Sequence, residues 1–212
     1  MFNSMQAGLF DLDGVIVDTA KFHYLAWREL ANGLGFDITE EQNEHLKGVS
    51  RMESLDRILA MGGATLSDDE KVRLATIKNA RYVDMVKQMD ASETLPGAKE
   101  YLLQLKARGV KIALGSASKN AELILKNLGI FELFDAVIDG NKVSRSKPDP
   151  EVFLLGAQSL GIAPDQCVVY EDAAAGVEAG KAGGMHVVGI GRPENLPLAD
   201  IVVPGLYALL DQ

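Results

Sequence analysis

Hydrophobic positions change their period along the chain, and those changes divide it into elements. An apolar run through Leu9-Phe10 reads as a buried strand and stops at Asp11-Leu12-Asp13-Gly14. Past Val15, the residues Phe22, Leu25, Ala26, Leu30 and Leu34 recur at helical spacing, and Gly33 and Gly35 end that segment. Residues 40–61 read as helix interrupted at Lys47-Gly48-Val49-Ser50-Arg51. A third helix is predicted from about Ser67 to Met89, with Ser67 as its cap and Asp68, Asp69 and Glu70 in its first turn. No strand pattern occurs between residues 16 and 92, so the first strand is followed by an all-helical block.

From Pro96-Gly97 onward, apolar runs and helical patterns alternate. A helix over 98–108 precedes the strand Val110 to Leu114, and a helix from Asn120 precedes Ala136 to Ile138. A helix from Pro150 to about Leu160 leads to the strand Cys167 to Tyr170, then a small-residue helix spans Ala173 to Ala182. Two further strands, His186 to Ile190 and Ile201 to Val203, complete the set. Strands that are continuous apolar runs between helices predict a parallel sheet covered on both faces. The expected fold is therefore α/β, with a doubly wound, Rossmann-like core over residues 1–16 and 93–212. An all-helical cap domain over residues 17–92 is inserted in it.

Composition narrows the functional classes. A chain of 212 residues, 47% of them hydrophobic, is long enough to bury a core. Its net charge of −9 argues against nucleic acid as a partner. No apolar run reaches membrane-spanning length, and no basic start leads into an apolar leader, so cytoplasm is the expected location. The single cysteine, Cys167, lies in an apolar run; it excludes an internal disulfide and reads as a small buried hydrophobe. An acidic protein that handles anions needs local cations and, ideally, a bound metal.

Four segments fall at the ends of predicted strands, where open α/β sheets bind ligands. Asp11-Leu12-Asp13 offers two carboxylates one residue apart, although an Asp-Gly turn after a strand is common without any chemistry. Gly115-Ser116-Ala117-Ser118-Lys119-Asn120 is small enough for amides and hydroxyls to approach an anion, or is a plain capping segment. Ser146-Lys147-Pro148-Asp149-Pro150 offers a lysine held by two prolines just before a helix, or a solvated one. Tyr170-Glu171-Asp172 puts adjacent acids straight after a buried strand, which calls for a compensating cation; Mg²⁺ is the usual one beside phosphates. Together the four make a phosphoryl-transfer set with a carboxylate nucleophile. There is no Gly-x-Ser-x-Gly and no Walker loop, which disfavours a serine hydrolase and a nucleotide site.

In order and spacing, Asp11-x-Asp13, Ser116, Lys147 and Glu171-Asp172 resemble the four motifs of the haloacid dehalogenase superfamily of phosphotransferases, and the helical block resembles its cap. The likeness covers essentially the whole chain. It is closer to the superfamily's sugar phosphomutases than to its generic phosphatases, on Asp11 to Thr19, His23 with Trp27, Leu46 to Arg51, Ser116 to Asn120 and Gly191 to Glu194. The chain departs from the family at Ala173, where a serine is frequent.

The resemblance implies a phosphomutase that interconverts β-glucose 1-phosphate and glucose 6-phosphate through glucose 1,6-bisphosphate, with a sugar or polyol phosphatase as the alternative. It implies Asp11 as nucleophile and Asp13 as general acid/base. Mg²⁺ would be held by Asp11, the backbone carbonyl of Asp13, Glu171 and Asp172. Ser116, Ala117 and Lys147 would cradle the transferring phosphate, and Arg51, Ser118 and Asn120, with Lys119 beside them, the other phosphate of a bisphosphate. Thr19, His23, Trp27, Lys47, Gly48, Ser54 and Lys78 would line the cap side. His23 and Trp27 lie at i, i+4 and so share a helix face, where packing at the edge of the apolar stripe is the alternative. The expected partners are small sugar phosphates, with neither nucleic acid nor membrane, and the expected state is a monomer.

Overall fold

The computed structural model describes residues 5–46 and 49–210. Six parallel strands form one sheet in the order β3-β2-β1-β4-β5-β6: β1 (Ala7–Phe10), β2 (Lys111–Gly115), β3 (Ala136–Ile138), β4 (Cys167–Glu171), β5 (His186–Ile190) and β6 (Ile201–Val203). The expected α/β architecture is present. The order reverses at β1, which lies between β2 and β4, so the crevice for a ligand opens beyond the carboxyl end of that central strand.

Strand alternation sends side chains to two separate cores. Phe10, Ile112, Leu114, Val168 and Tyr170 face one helical layer; Leu9, Ala113, Val169 and Val187 face the other. On the first face Phe10 stacks on Tyr170 at 4.3 Å, and the Tyr170 and Tyr101 hydroxyls meet at 2.8 Å, so both buried phenols have a partner. The helices α5 (Ala98–Ala107), α6 (Ala121–Asn127), α7 (Glu151–Leu160) and α8 (Ala174–Ala182) supply the layers.

The block between β1 and β2 is helical, as its periodicity predicts: α1 (Ala20–Gly33), α2 (Glu40–Glu44), α3 (Arg51–Met61) and α4 (Asp68–Val86). Each break has a local cause. Thr39 and Ser67 close capping boxes with Gln42 and Glu70, and the Ser50 hydroxyl accepts from the Glu53 amide. The buried face of α1 differs from the expected stripe. Leu25 is 51% exposed, and the face turned inward is Ala26, Trp27 and Ala31. Trp27, Ala31, Ile38, Leu46, Leu55, Ile58, Leu59 and Ala75 form a core of the block's own. Its other side is continuous with the sheet, because Ala26, Tyr82, Val86 and Met89 pack into the same cluster as Phe10 and Leu12. The chain enters and leaves the block side by side: Val17 bridges Thr94, and the Leu95 amide donates to the Ile16 carbonyl at 2.9 Å. Among the described residues, no helix is long and apolar enough to cross a membrane.

Candidate active site

Sheet register assembles the site. Phe10 is level with Leu114 on one side and Tyr170 on the other, so one residue further on Asp11 stands between Gly115 and Glu171. The Asp11 amide donates to the Tyr170 carbonyl at 3.0 Å, which holds the chain in line to that point. It then turns at once, with Gly14 at φ +79° and its amide bonded to the Val17 carbonyl. Asp11 is consequently buried and Asp13 half-buried, so the two carboxylates occupy different environments.

Lys147 ties three strand ends together. Its ammonium donates to Asp11 Oδ1 at 2.8 Å, to Glu171 Oε1 at 2.5 Å and to the Gly115 carbonyl at 3.0 Å. Burial alone would lower the lysine's pKa; the Asp11 and Glu171 charges together overcome it and raise the value. Burial pushes the Glu171 carboxyl up to about 8, against the Lys147 charge and assisted by the Asp11 and Asp172 charges. The cluster has more carboxylates than cations. Asp11, Glu171 and Asp172 each present an oxygen within 4.8 Å of the others, a hard donor set that fits a divalent cation. The Ala173 amide donates to Glu171 Oε2 at 3.1 Å, so the backbone orients that carboxylate despite the missing serine hydroxyl.

Above the cluster, a cleft between the helical block and the sheet is bordered by Asp11, Asp13, Asp172 and Ser116 to Asn120 from below, and by His23, Trp27, Arg51, Ser54 and Lys78 from the helices. Lys78 Nζ lies 2.9 Å from His23 Nδ1 and 4.2 Å from the centre of the Trp27 ring. Burial first, and the Arg51 charge second, bring the Lys78 ammonium down to about 7, with Asp13 opposing. Burial and then the Lys78 and Arg51 charges hold His23 well below the usual imidazole range. Trp27 thus borders the cleft and packs in the block's own core. A second opening, bordered by Arg51, Ser116, Ala117, Lys119, Arg145 and Lys147, meets the first at Arg51, Ser116, Ala117 and Lys119.

Most of the residues singled out in the sequence converge here. Thr19, expected on the cap side of the site, instead is fully buried ahead of α1 and does not border the cleft. Its place at the helix entry, inside the turn of chain, is what removes it. Lys47 and Gly48 lie outside the described residues. Glu171 and Lys147 belong to the floor and do not border the main cleft. Asn43 and Asn79 border it without having been singled out. Asn79 Oδ1 accepts from Asn120 Nδ2 at 2.9 Å, a bond from α4 to the loop after β2. Lone asparagines on polar helix stretches give no periodic signal, and a pairing across forty-one positions of sequence is invisible to local reading.

A doubly wound sheet that sets a carboxylate–lysine cluster at the ends of its central strands, beneath helices bearing further cations, defines a carboxylate-centred phosphotransferase. A family model for haloacid dehalogenase-like hydrolases matches residues 5–184, and the chain belongs to that family. It is 42% identical to the β-phosphoglucomutase of Bacillus subtilis over 201 residues, covering 94% of this chain and 89% of that protein. It is 32% identical to a phosphorylated carbohydrates phosphatase of Thermotoga maritima, over 86% of this chain and 83% of that one. Among solved structures, the β-phosphoglucomutase of Clostridium difficile superposes with a TM-score of 0.94 at 46% identity, covering 98% of this chain and 94% of that one.

Proposed function

We propose that the protein is a β-phosphoglucomutase, interconverting β-glucose 1-phosphate and glucose 6-phosphate through glucose 1,6-bisphosphate, with the helices between β1 and β2 acting as its cap. The observation that carries this reading is the presence of Arg51 and Lys78 on the same cleft as Asp11 and Asp13. The floor supplies charge for one phosphate. A mutase must hold a second, non-reacting phosphate, and cations on the opposite wall suit it. The B. subtilis and C. difficile relatives support the same reading.

In this scheme Asp11, held in place by Lys147, attacks the C1 phosphorus of bound glucose 1,6-bisphosphate. The bond from phosphorus to the sugar oxygen breaks, and that oxygen takes a proton from Asp13. The glucose 6-phosphate so formed leaves and β-glucose 1-phosphate enters; the phospho-aspartate gives its phosphoryl group to that sugar's 6-hydroxyl while Asp13 removes the hydroxyl proton, and the new bisphosphate then turns end for end. Asp11, Glu171, Asp172 and the Asp13 carbonyl would hold Mg²⁺, which when bound neutralises charge on the transferring phosphoryl group. Ser116, Ala117 and Lys147 cradle that group, and Arg51, Ser118 and Asn120 hold the other. Helices closing over the cleft exclude the water that would hydrolyse the phospho-aspartate. A cytoplasmic monomer suits this cycle, since cleft and insertion come from one chain.

The test is a coupled assay. β- and α-glucose 1-phosphate are supplied separately with Mg²⁺ and a trace of glucose 1,6-bisphosphate, and glucose 6-phosphate is read through its dehydrogenase. Turnover of the β anomer alone is expected, and Asp11→Asn should abolish it. Release of inorganic phosphate without glucose 6-phosphate would favour a sugar phosphatase, the activity named for the T. maritima relative.

A further inference from the structure

Asn43, on α2, borders the cleft and is 5% exposed, yet among the described residues its side-chain Oδ1 has no hydrogen-bond partner. Buried polar atoms are nearly always paired, and each one left unpaired is destabilising. The polar groups before it on the chain are paired with one another. Thr39 and Gln42 satisfy each other in the capping box, and the Asn43 backbone is bonded to Thr39 and Leu46. Among the described residues, no donor reaches the Asn43 amide oxygen.

We propose that Asn43 is a specificity-determining residue that accepts a hydrogen bond from a ring hydroxyl of the sugar, an inference that rests on the sugar-phosphate reading above. The chemistry of the cleft divides accordingly. Phosphates are themselves acceptors and belong with Arg51, Lys78 and the floor. A neutral acceptor such as an amide oxygen has nothing to offer them. A hydroxyl both donates and accepts, so it satisfies whichever end of the amide faces it. Sites built to bond a substrate hydroxyl discriminate strongly against the analogue that lacks it, because their own buried group is then left unpaired.

The experiment compares the parent with Asn43→Ala and Asn43→Ser on β-glucose 1-phosphate and its 2-, 3- and 4-deoxy analogues. The expected result is a loss in kcat/KM for the full sugar of roughly three- to tenfold in Asn43→Ala, the worth of one neutral hydrogen bond. Asn43→Ser should recover part of it. For one deoxy analogue the parent and Asn43→Ala should be equal, since the bond is already missing. The melting temperature of Asn43→Ala without ligand should not fall, because the amide has no partner to lose. Equal losses on every analogue, or no loss on any, would overturn the proposal; a trapped water satisfying the amide gives the latter. Should the parent turn over no hexose phosphate, the function reading fails separately. Asn43 is then judged by the rise in melting temperature with glucose 6-phosphate, and an identical rise in Asn43→Ala sinks the proposal.

Discussion

Two carboxylates one residue apart perform different work because the chain turns between them. Asp11 is pinned by Lys147 and lies in the floor, whereas Asp13 is half-buried on the cleft wall. A carboxylate locked to a buried ammonium is a poor proton carrier and a ready nucleophile; the more open one can exchange a proton. Asp13→Asn should therefore leave ligand binding intact and slow transfer by roughly 10²–10⁴-fold, the usual worth of a positioned acid/base. The loss should shrink for p-nitrophenyl phosphate, whose leaving group needs no proton, and equal losses on it and on sugar phosphates would remove Asp13 from that role. Lys78 gives a second residue-scale prediction. Burial, then Arg51, bring its pKa from 10.5 down to about 7, so between those values the unfolded chain holds a proton that the folded one has released. Stability should consequently rise with pH across that window, and urea midpoints at pH 7 and pH 9 should show the rise in the parent and less of it in Lys78→Met. The cleft loses a cation over the same range, so kcat/KM for the sugar phosphate should fall as pH passes about 7. Lys78→Met should lack that limb.

At the scale of elements, the site depends on how closely α8 approaches β4. Gly176 on α8 is buried against Glu171, and a methyl group there would overlap the Glu171 carboxylate, which Lys147 and the Ala173 amide already hold in place. Gly176→Ala should gain helix propensity but force the carboxylate aside, at an overpacking cost of about 1–3 kcal/mol. The expected outcome is a folded protein that needs at least about tenfold more Mg²⁺ for half-maximal activity. An unchanged Mg²⁺ requirement would mean that Glu171 does not hold the ion. Elements are also where the sequence was most readable. The alternation from Pro96 onward specified every later strand, because buried parallel strands must be apolar on both faces. The caps at Ser67 and Thr39 are local chemistry, and Ser67, followed by three acids, is the plainer of the two in the sequence. Side-chain placement was less readable. Leu25 and Ala26 both suit a helical stripe, and only packing against α4 turns Ala26 inward and leaves Leu25 in solvent. Asp11, Lys147 and Glu171 were legible because two acids at a buried strand end demand compensation. Asn43 and Asn79 carry no charge to be compensated and were not.

Over the whole molecule, the charge is strongly negative while the cleft and its second opening gather Arg51, Lys78, Lys119 and Lys147. Anion binding is therefore a local property of the place where helices and sheet meet. Of these cations, Arg51 joins the two openings, and its half-buried position lowers the pKa of its guanidinium, through burial above all. If it grips the phosphate that is not being transferred, it acts only on substrates that carry one at the end away from Asp11. Arg51→Ala should then cripple the mutase cycle, in which each end of a bisphosphate is presented in turn. Hydrolysis of acetyl phosphate or p-nitrophenyl phosphate reaches only the floor, where Asp11, Ser116 and Lys147 are unchanged, and should stay nearly as it was. A charge-assisted contact is worth about 1.5–3 kcal/mol, so the selective loss in the coupled β-glucose 1-phosphate assay should be at least about tenfold. If both activities fall together, Arg51 supports the approach of the helices to the sheet, a task the Asn79–Asn120 bond shares. If neither falls, the second phosphate is held elsewhere, and the strongest argument for a mutase over a phosphatase falls with it.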